Sequence, residues 1–300
     1  MKIAILTYGT RGDVQPYAVL GHALARRGHA VRIAVCENLV DMTRSIGLDT
    51  VAVPVDSQEF MSSEQGRAVL SAGKTTKFIK ELSRRETEAS REIGDALVEA
   101  SRDAEMVIAS VLAVARATSL VEASGQRMLA VYVPPIHPTA QFASPYIFRS
   151  THAPTALLRR ASHLVFETVF WWGSRRNVRA FRRQLGLPAR VANPLRALRR
   201  AQVPVSHLIT RALLPEPPDW PEHVRNVGEI AVPRELREAW GEATVPPDLE
   251  RWLAAGDAPV YFGFGSMPVL DAVAARAMIE TVAQRLGVRA LIGAGWSDVA

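Results

Sequence analysis

The sequence predicts an α/β protein: a doubly wound, mostly parallel sheet with helices on both faces, followed by the start of a second unit of the same kind. Three observations carry that prediction. Short apolar runs such as Ile3-Ala4-Ile5-Leu6 recur along the first 133 residues, the pattern of buried parallel strands. Amphipathic stretches of helical period lie between them. Glycines at 9, 28 and 47 punctuate the joins.

Taken in order, the first strand is expected over residues 2–7, ending at Tyr8-Gly9-Thr10, with a helix over 16–27 stopped by Gly28. A second strand follows at 31–35, a helix at 39–46 stopped by Gly47, and a third strand at 50–55. A charged helix with Glu and Arg at helical spacings covers 76–100. Strands at 106–110 and 128–133 flank an alanine-rich helix. Pro134-Pro135-Ile136-His137-Pro138 continues neither strand nor helix, so a long loop runs to about residue 153. Such loops, beyond the carboxyl ends of parallel strands, are where these sheets bind small molecules.

Two more helices are expected. One carries Phe166, Phe170, Trp171 and Trp172, and the next places Val178, Phe181 and Leu185 on one face. An aromatic stripe at this spacing reads as core. Residues 208–210 are the expected last strand of the unit. Proline-rich sequence from Leu214 to Pro247 reads as a connection. A strand beginning at 259, a helix at 270–286 and a strand at 288–292 then open a second unit. The expected division is 1–213, 214–258 and 259–300, the last an incomplete domain that at ordinary size needs roughly a hundred residues more.

Composition narrows the class. The 300 residues are 48% hydrophobic and 22% charged, the balance of a globular chain and not of a disordered or fibrous one. No apolar run reaches the eighteen or so residues of a membrane span. The N-terminal apolar run is short and lacks a small-residue cleavage site, so a cytoplasmic location is expected. Cys36 is the single cysteine and permits no internal disulfide. The net charge of +6 is uneven: residues 149–211 hold thirteen arginines and one acid, Glu167. That asymmetry suits an anionic lipid surface, an acidic partner or nucleic acid, or else a solvated helix face.

Two loops carry the residues suited to chemistry. The first, Gly9-Thr10-Arg11-Gly12-Asp13-Val14-Gln15-Pro16, joins strand one to helix one, where a glycine-rich turn can set a pyrophosphate on a helix N-terminus. Its spacing is G-x-x-G, not G-x-G-x-x-G, and Asp13 puts a negative charge where the phosphate would sit. A carboxylate there suits taking a proton from a neutral hydroxyl, so Asp13 is a candidate general base. The other reading is a helix cap, weakened because Pro16 has no N–H at the position a cap at Asp13 would serve. Glu37, just after strand two, keeps a nucleotide-dependent oxidoreductase open.

The second loop is Gly263-Phe264-Gly265-Ser266-Met267-Pro268. Gly263 and Gly265 permit close backbone approach to a diphosphate, and Ser266 offers a hydroxyl; the alternative is an ordinary tight turn. The chain has no D-x-D, H-E-x-x-H, C-x-x-C or G-x-S-x-G pattern, so neither a metal site nor an acyl hydrolase is expected. His137, Phe142, Tyr146 and Phe148 in the long loop are candidates for meeting an apolar substrate.

The strings TYGTRGDVQPYAVLGHALARRGHAV (7–31), FRRQLGLP (181–188) and PVYFGFGSMP (259–268) resemble the GT-B glycosyltransferases, in particular those acting on sterols, carotenoids, rhamnolipid precursors and glycopeptide or macrolide aglycones. The resemblance runs along essentially the whole chain. It implies a Rossmann-like N-terminal domain that binds the acceptor and a second Rossmann-like domain that binds a UDP- or TDP-sugar. It makes Asp13 the base that activates the acceptor hydroxyl, with Gly12 beside it, and sets Gly263, Gly265 and Ser266 against the donor diphosphate. The family's H-x-G-x-G-T donor loop is missing, so the donor domain is expected to be cut short and the 300-residue chain inactive by itself.

The implied reaction is inverting transfer of a hexose to a small hydrophobic acceptor. It needs no metal and no cofactor beyond the nucleotide-sugar co-substrate. No nucleic-acid partner is expected; the thirteen arginines and the Phe-Trp-Trp cluster leave two readings open, peripheral contact with an anionic membrane, or arginines that face the rest of the donor domain or solvent. The rival readings are a non-catalytic acceptor-binding helper subunit and the oxidoreductase.

Overall fold

The computed structural model describes residues 1–62, 84, 87–148, 155–266, 269 and 271–296. Its apolar runs become the inner strands of a parallel sheet. β1 (Lys2–Leu6), β2 (Ala30–Cys36), β3 (Asp49–Val53), β4 (Met106–Ala109), β5 (Arg127–Tyr132), β6 (Val205–His207) and β7 (Val224–Asn226) run in the order β3-β2-β1-β4-β5-β6-β7, each pair parallel. Ala4, Ile5 and Leu6, Ile33 to Cys36, and Val107 and Ala109 are fully buried, as strands covered on both faces require. The strand order reverses between β1 and β4. The crevice outside their carboxyl ends is the place where open α/β sheets bind ligands.

The helices follow the chain. α1 (Arg11–Arg26), α2 (Val40–Arg44), α3 (Ser57–Ser62), α4 (Ser90–Ser101) and α5 (Val114–Ser124) accompany the first five strands. Gly21 lets α1 lie close on the sheet: a Cβ there would stand 3.1 Å from Ile5 Cδ1 and 3.3 Å from Leu48 Cδ1. The expected charged helix over 76–100 falls partly outside the described residues, and its described end is α4. The far end of the loop to residue 153 and the start of the expected helix at 270 also lie outside them.

Four expectations are corrected. α1 begins at Arg11, not at residue 16, because its cap is Thr10 and Pro16 sits inside the helix. The two helices expected after the loop are one, α6 (Ala156–Gln184), 29 residues long. Gly173 does not stop it, since an isolated helical glycine costs only about 1 kcal/mol, and Ser174 Oγ bonds back to the Phe170 carbonyl at 3.0 Å. The aromatic stripe on this helix divides: Phe166 and Phe170 pack against the second apolar cluster, while Trp172 is 66% exposed. The strand expected at 208–210 lies at Val205–His207, and the Leu208 N–H makes the closing bond to Tyr132 O at 2.8 Å.

The fourth correction concerns residues 214–258, expected as a connection. After α7 (Pro194–Arg200) and β6, this stretch supplies β7 to the first sheet. Its prolines flank β7 without entering it, and Asn226 is fully buried, with Nδ2 bonded to Leu214 O at 2.8 Å. α8 (Arg234–Ala239) then returns along α1, with Glu235 beside Arg26 at the C-terminal end of α1 and Glu242, past α8, at its N-terminal end. Leu236 joins the main core, Trp240 Nε1 donates to Met42 O at 2.8 Å, and Arg11 pairs with Glu242 at 2.5 Å. Only α9 (Pro247–Ala254) precedes the second unit, in which β8 (Val260–Gly263) and β9 (Ala290–Gly293) pair in parallel beside α10 (Ala272–Leu286).

Candidate functional site

Asp13 stands in the first turn of α1, on the loop that leaves β1 at the reversal of strand order. Thr10 is the helix cap and Asp13 the third helical residue, a reciprocal arrangement that satisfies helix-end N–H groups. One carboxylate oxygen is held: Asp13 Oδ2 accepts from the Thr10 N–H at 2.9 Å and from the Thr10 hydroxyl at 3.1 Å. Oδ1 accepts no hydrogen bond among the described residues. Burial raises the pKa of the carboxyl above its ordinary value, and the two bonds from Thr10 oppose the rise.

The surroundings explain why the loop has this sequence. Gly9 has φ +134°, and a Cβ there would meet Asp13 Oδ2 at 2.5 Å. Its N–H donates to Cys36 Sγ at 3.2 Å. Burial nevertheless pushes that thiol up to about 11. Thr7 Oγ1 donates to the Asp13 carbonyl at 2.7 Å, and Tyr8 OH to Leu112 O at 2.8 Å, tying the loop after β1 to the segment after β4. The Tyr17 hydroxyl, deep under α1, donates to Val131 O at 2.5 Å.

The structure divides the four candidates in the long loop. Tyr146 is 56% exposed and stacks on Phe166 at 4.7 Å; partial burial of its hydroxyl, and secondarily the charge of Asp13, raise its phenol pKa. Phe148 is exposed nearby in the chain, and Gly12 is exposed in the first turn of α1. His137 and Phe142, unlike Tyr146 and Phe148, are buried in this structure. Phe142 packs edge-on against His163 at 5.5 Å. His137 lies edge-on to Trp220 at 6.0 Å and to His223 at 6.5 Å, and burial drives its pKa down to about 3.

In the second unit Gly263 is the last residue of β8 and Gly265 and Ser266 follow it, whereas Met267 and Pro268 lie outside the described residues. Sequence reasoning missed the neighbour of this loop. Gly295 comes so close that a Cβ on it would strike Gly265 O at 1.9 Å, and the Trp296 N–H bonds that oxygen at 2.9 Å. Two glycine loops, one after each strand, therefore meet backbone to backbone. Also missed was Thr10, although the T-x-x-D spacing of a reciprocal cap was there to be read. Among the described residues no group of three or more His, Cys, Asp or Glu side chains is arranged to hold a metal ion.

Comparison with known proteins agrees with this geometry. Residues 3–117 match the glycosyltransferase family 28 N-terminal domain. An uncharacterized Mycobacterium bovis protein, Mb1553c, is 33% identical over 296 residues, covering 97% of this chain; the chain spans 66% of that relative, just under two thirds of its length. A sterol 3-beta-glucosyltransferase of Candida albicans is 28% identical over 99% of this chain and 19% of its own length. The solved glycotransferase of kitacinnamycin superposes with a TM-score of 0.58 at 16% identity, over 97% of this chain and 64% of that one. These matches leave no support for the oxidoreductase reading. The chain is built on the fold of the GT-B glycosyltransferases, and its residues 3–117 are similar to the glycosyltransferase family 28 N-terminal domain.

Proposed function

We propose that the chain is the acceptor-binding domain, with the start of the donor domain, of an enzyme that moves a hexose from a nucleoside-diphosphate sugar to a hydroxyl of a hydrophobic acceptor. The observation that carries the reading is the carboxylate of Asp13: one oxygen is held by Thr10 and the other is uncommitted, at the reversal of a parallel sheet. A raised pKa makes this carboxylate a stronger base than an exposed aspartate. It takes the proton as the acceptor oxygen attacks the anomeric carbon; the bond to the diphosphate breaks on the opposite face, and configuration inverts.

The leaving diphosphate is met by backbone N–H groups of residues 263–266 and the Ser266 hydroxyl, which offer stabilisation without calling on a divalent cation. Tyr146 and Phe148, with Gly12 at the helix start, offer exposed apolar surface to the acceptor. The sterol named for the Candida albicans relative belongs to the same hydrophobic class.

The test uses the protein extended to the length of its relatives, with release of nucleoside diphosphate measured in the presence of sterol, polyketide and lipid acceptors. Asp13→Asn is expected to lower turnover by roughly 10²–10⁴, the scale of a lost general base. Its melting temperature should hold or rise, because a buried charge is removed. Turnover near that of the wild type in Asp13→Asn would overturn the assignment.

A further inference from the structure

One face of α6 has no use in the proposed reaction. Leu157, Leu158, Val165, Val169 and Trp172 are exposed along it, Leu157 to 77%. Ala161, Leu164 and Thr168, with Val165, Val169 and Trp172, line a shallow groove of about 430 Å³ whose other wall is Arg196 of α7. The α6 residues recur at three- and four-residue steps, so they form one apolar stripe about 22 Å long. Its C-terminal end runs into arginines on the same side of the helix: Arg175, Arg176, Arg179 and Arg183.

The charge after the stripe is uncompensated. The single acid of the helix, Glu167, is buried and pairs with Arg199 of α7. Arg182, the other arginine of α6, is buried in a two-pronged bond to Glu122 at 2.6 and 2.9 Å. None of these four arginines forms an ion pair among the described residues, and Arg175 leans toward the Trp172 ring at 5.9 Å.

We propose that this face of α6 docks on an anionic lipid surface, with Leu158, Val165, Val169 and Trp172 entering the headgroup boundary and the arginines lying on the phosphates. A bilayer offers an apolar layer and an anionic rim in the order the helix presents them. A second copy of the chain would bring four arginines against four arginines, and the charge opposes it. No helix among the described residues is long and apolar enough to cross a membrane, so the contact is peripheral. It is independent of sugar transfer and is measured without donor or acceptor.

The probe is vesicle sedimentation of the 300-residue protein with phosphatidylcholine alone and with added phosphatidylglycerol. Binding is expected on the anionic vesicles at low salt and is largely lost at high salt. Each arginine near the surface contributes on the order of fivefold in partitioning, so Arg175→Gln, Arg176→Gln and Arg179→Gln together should cost about a hundredfold. Val165→Asp with Val169→Asp, at positions already exposed, should abolish binding while leaving the circular dichroism unchanged.

Should that pair disturb folding, the wild-type protein still decides the matter: brominated acyl chains should quench its tryptophan emission, and Trp172→Phe should remove most of the effect. Three results would overturn the proposal: no binding to anionic vesicles, binding indifferent to both sets of substitutions, or a dimer in sedimentation velocity that the aspartates dissociate.

Discussion

Thr10 and Asp13 show how one pair of residues serves folding and chemistry together. Thr10 is the cap residue of α1, and its hydroxyl, by donating to Oδ2, favours the ionised carboxylate. Replacing it with Thr10→Val removes that bond, so the pKa of Asp13 should rise further. The base works deprotonated, so its rate falls as pH drops through that pKa, and the loss in Thr10→Val should begin at a higher pH. Thr10→Ser restores the hydroxyl and should restore the profile, which a purely structural effect would not do; a rate–pH profile of the three proteins is the measurement. Asp13 itself was legible because a carboxylate does not fit a phosphate loop. Its cap was obscured by Pro16, whose missing N–H argues against a cap at Asp13 but says nothing of one at Thr10.

Elements were legible where burial alone dictates them and illegible where a partner distant in sequence does. β1, β2 and β4 announce themselves by continuous apolar runs. β7 has three residues between prolines, and only its pairing with β6 makes it a strand. The same holds for α8, six residues long, which is ordered by Leu236 in the main core and by Trp240 on Met42. Leu236→Ala should therefore destabilise the whole first unit by about 2–5 kcal/mol, the range for emptying a buried leucine site. Urea denaturation followed by circular dichroism checks this. A loss below about 1 kcal/mol would mean that the segment is a loose tail after all.

At the scale of the molecule, the histidines buried beside β6 and β7 set the acid limit. Burial depresses His137 to about 3 and His207 to about 4, against 6.5 when unfolded. The fold thus prefers both rings neutral. Their contribution is complete above the unfolded value and is lost as pH falls below 6.5 toward 4, at up to about 1.4 kcal/mol per pH unit for each ring. Denaturation midpoints should fall steeply between pH 6.5 and 4.5, and His207→Asn should flatten the slope. The burial of His137 was not legible because sequence shows its neighbours in the chain and not Trp220 and His223, which bury it.

The return of α8 to α1 also fixes an order of events in time. The bond from Trp240 to Met42 spans 198 residues, so its loop-closure entropy falls due before its contacts are made, and it forms after the sheet it fastens. What closes last on a few buried side chains opens first. In amide hydrogen exchange the 234–242 strap should lose protection well before β1 and β4, and the first turn of α1, braced through Arg11 and Glu242, should loosen in step with it. The Asp13 carboxylate then has a breathing rate of its own, set from the far end of the first unit.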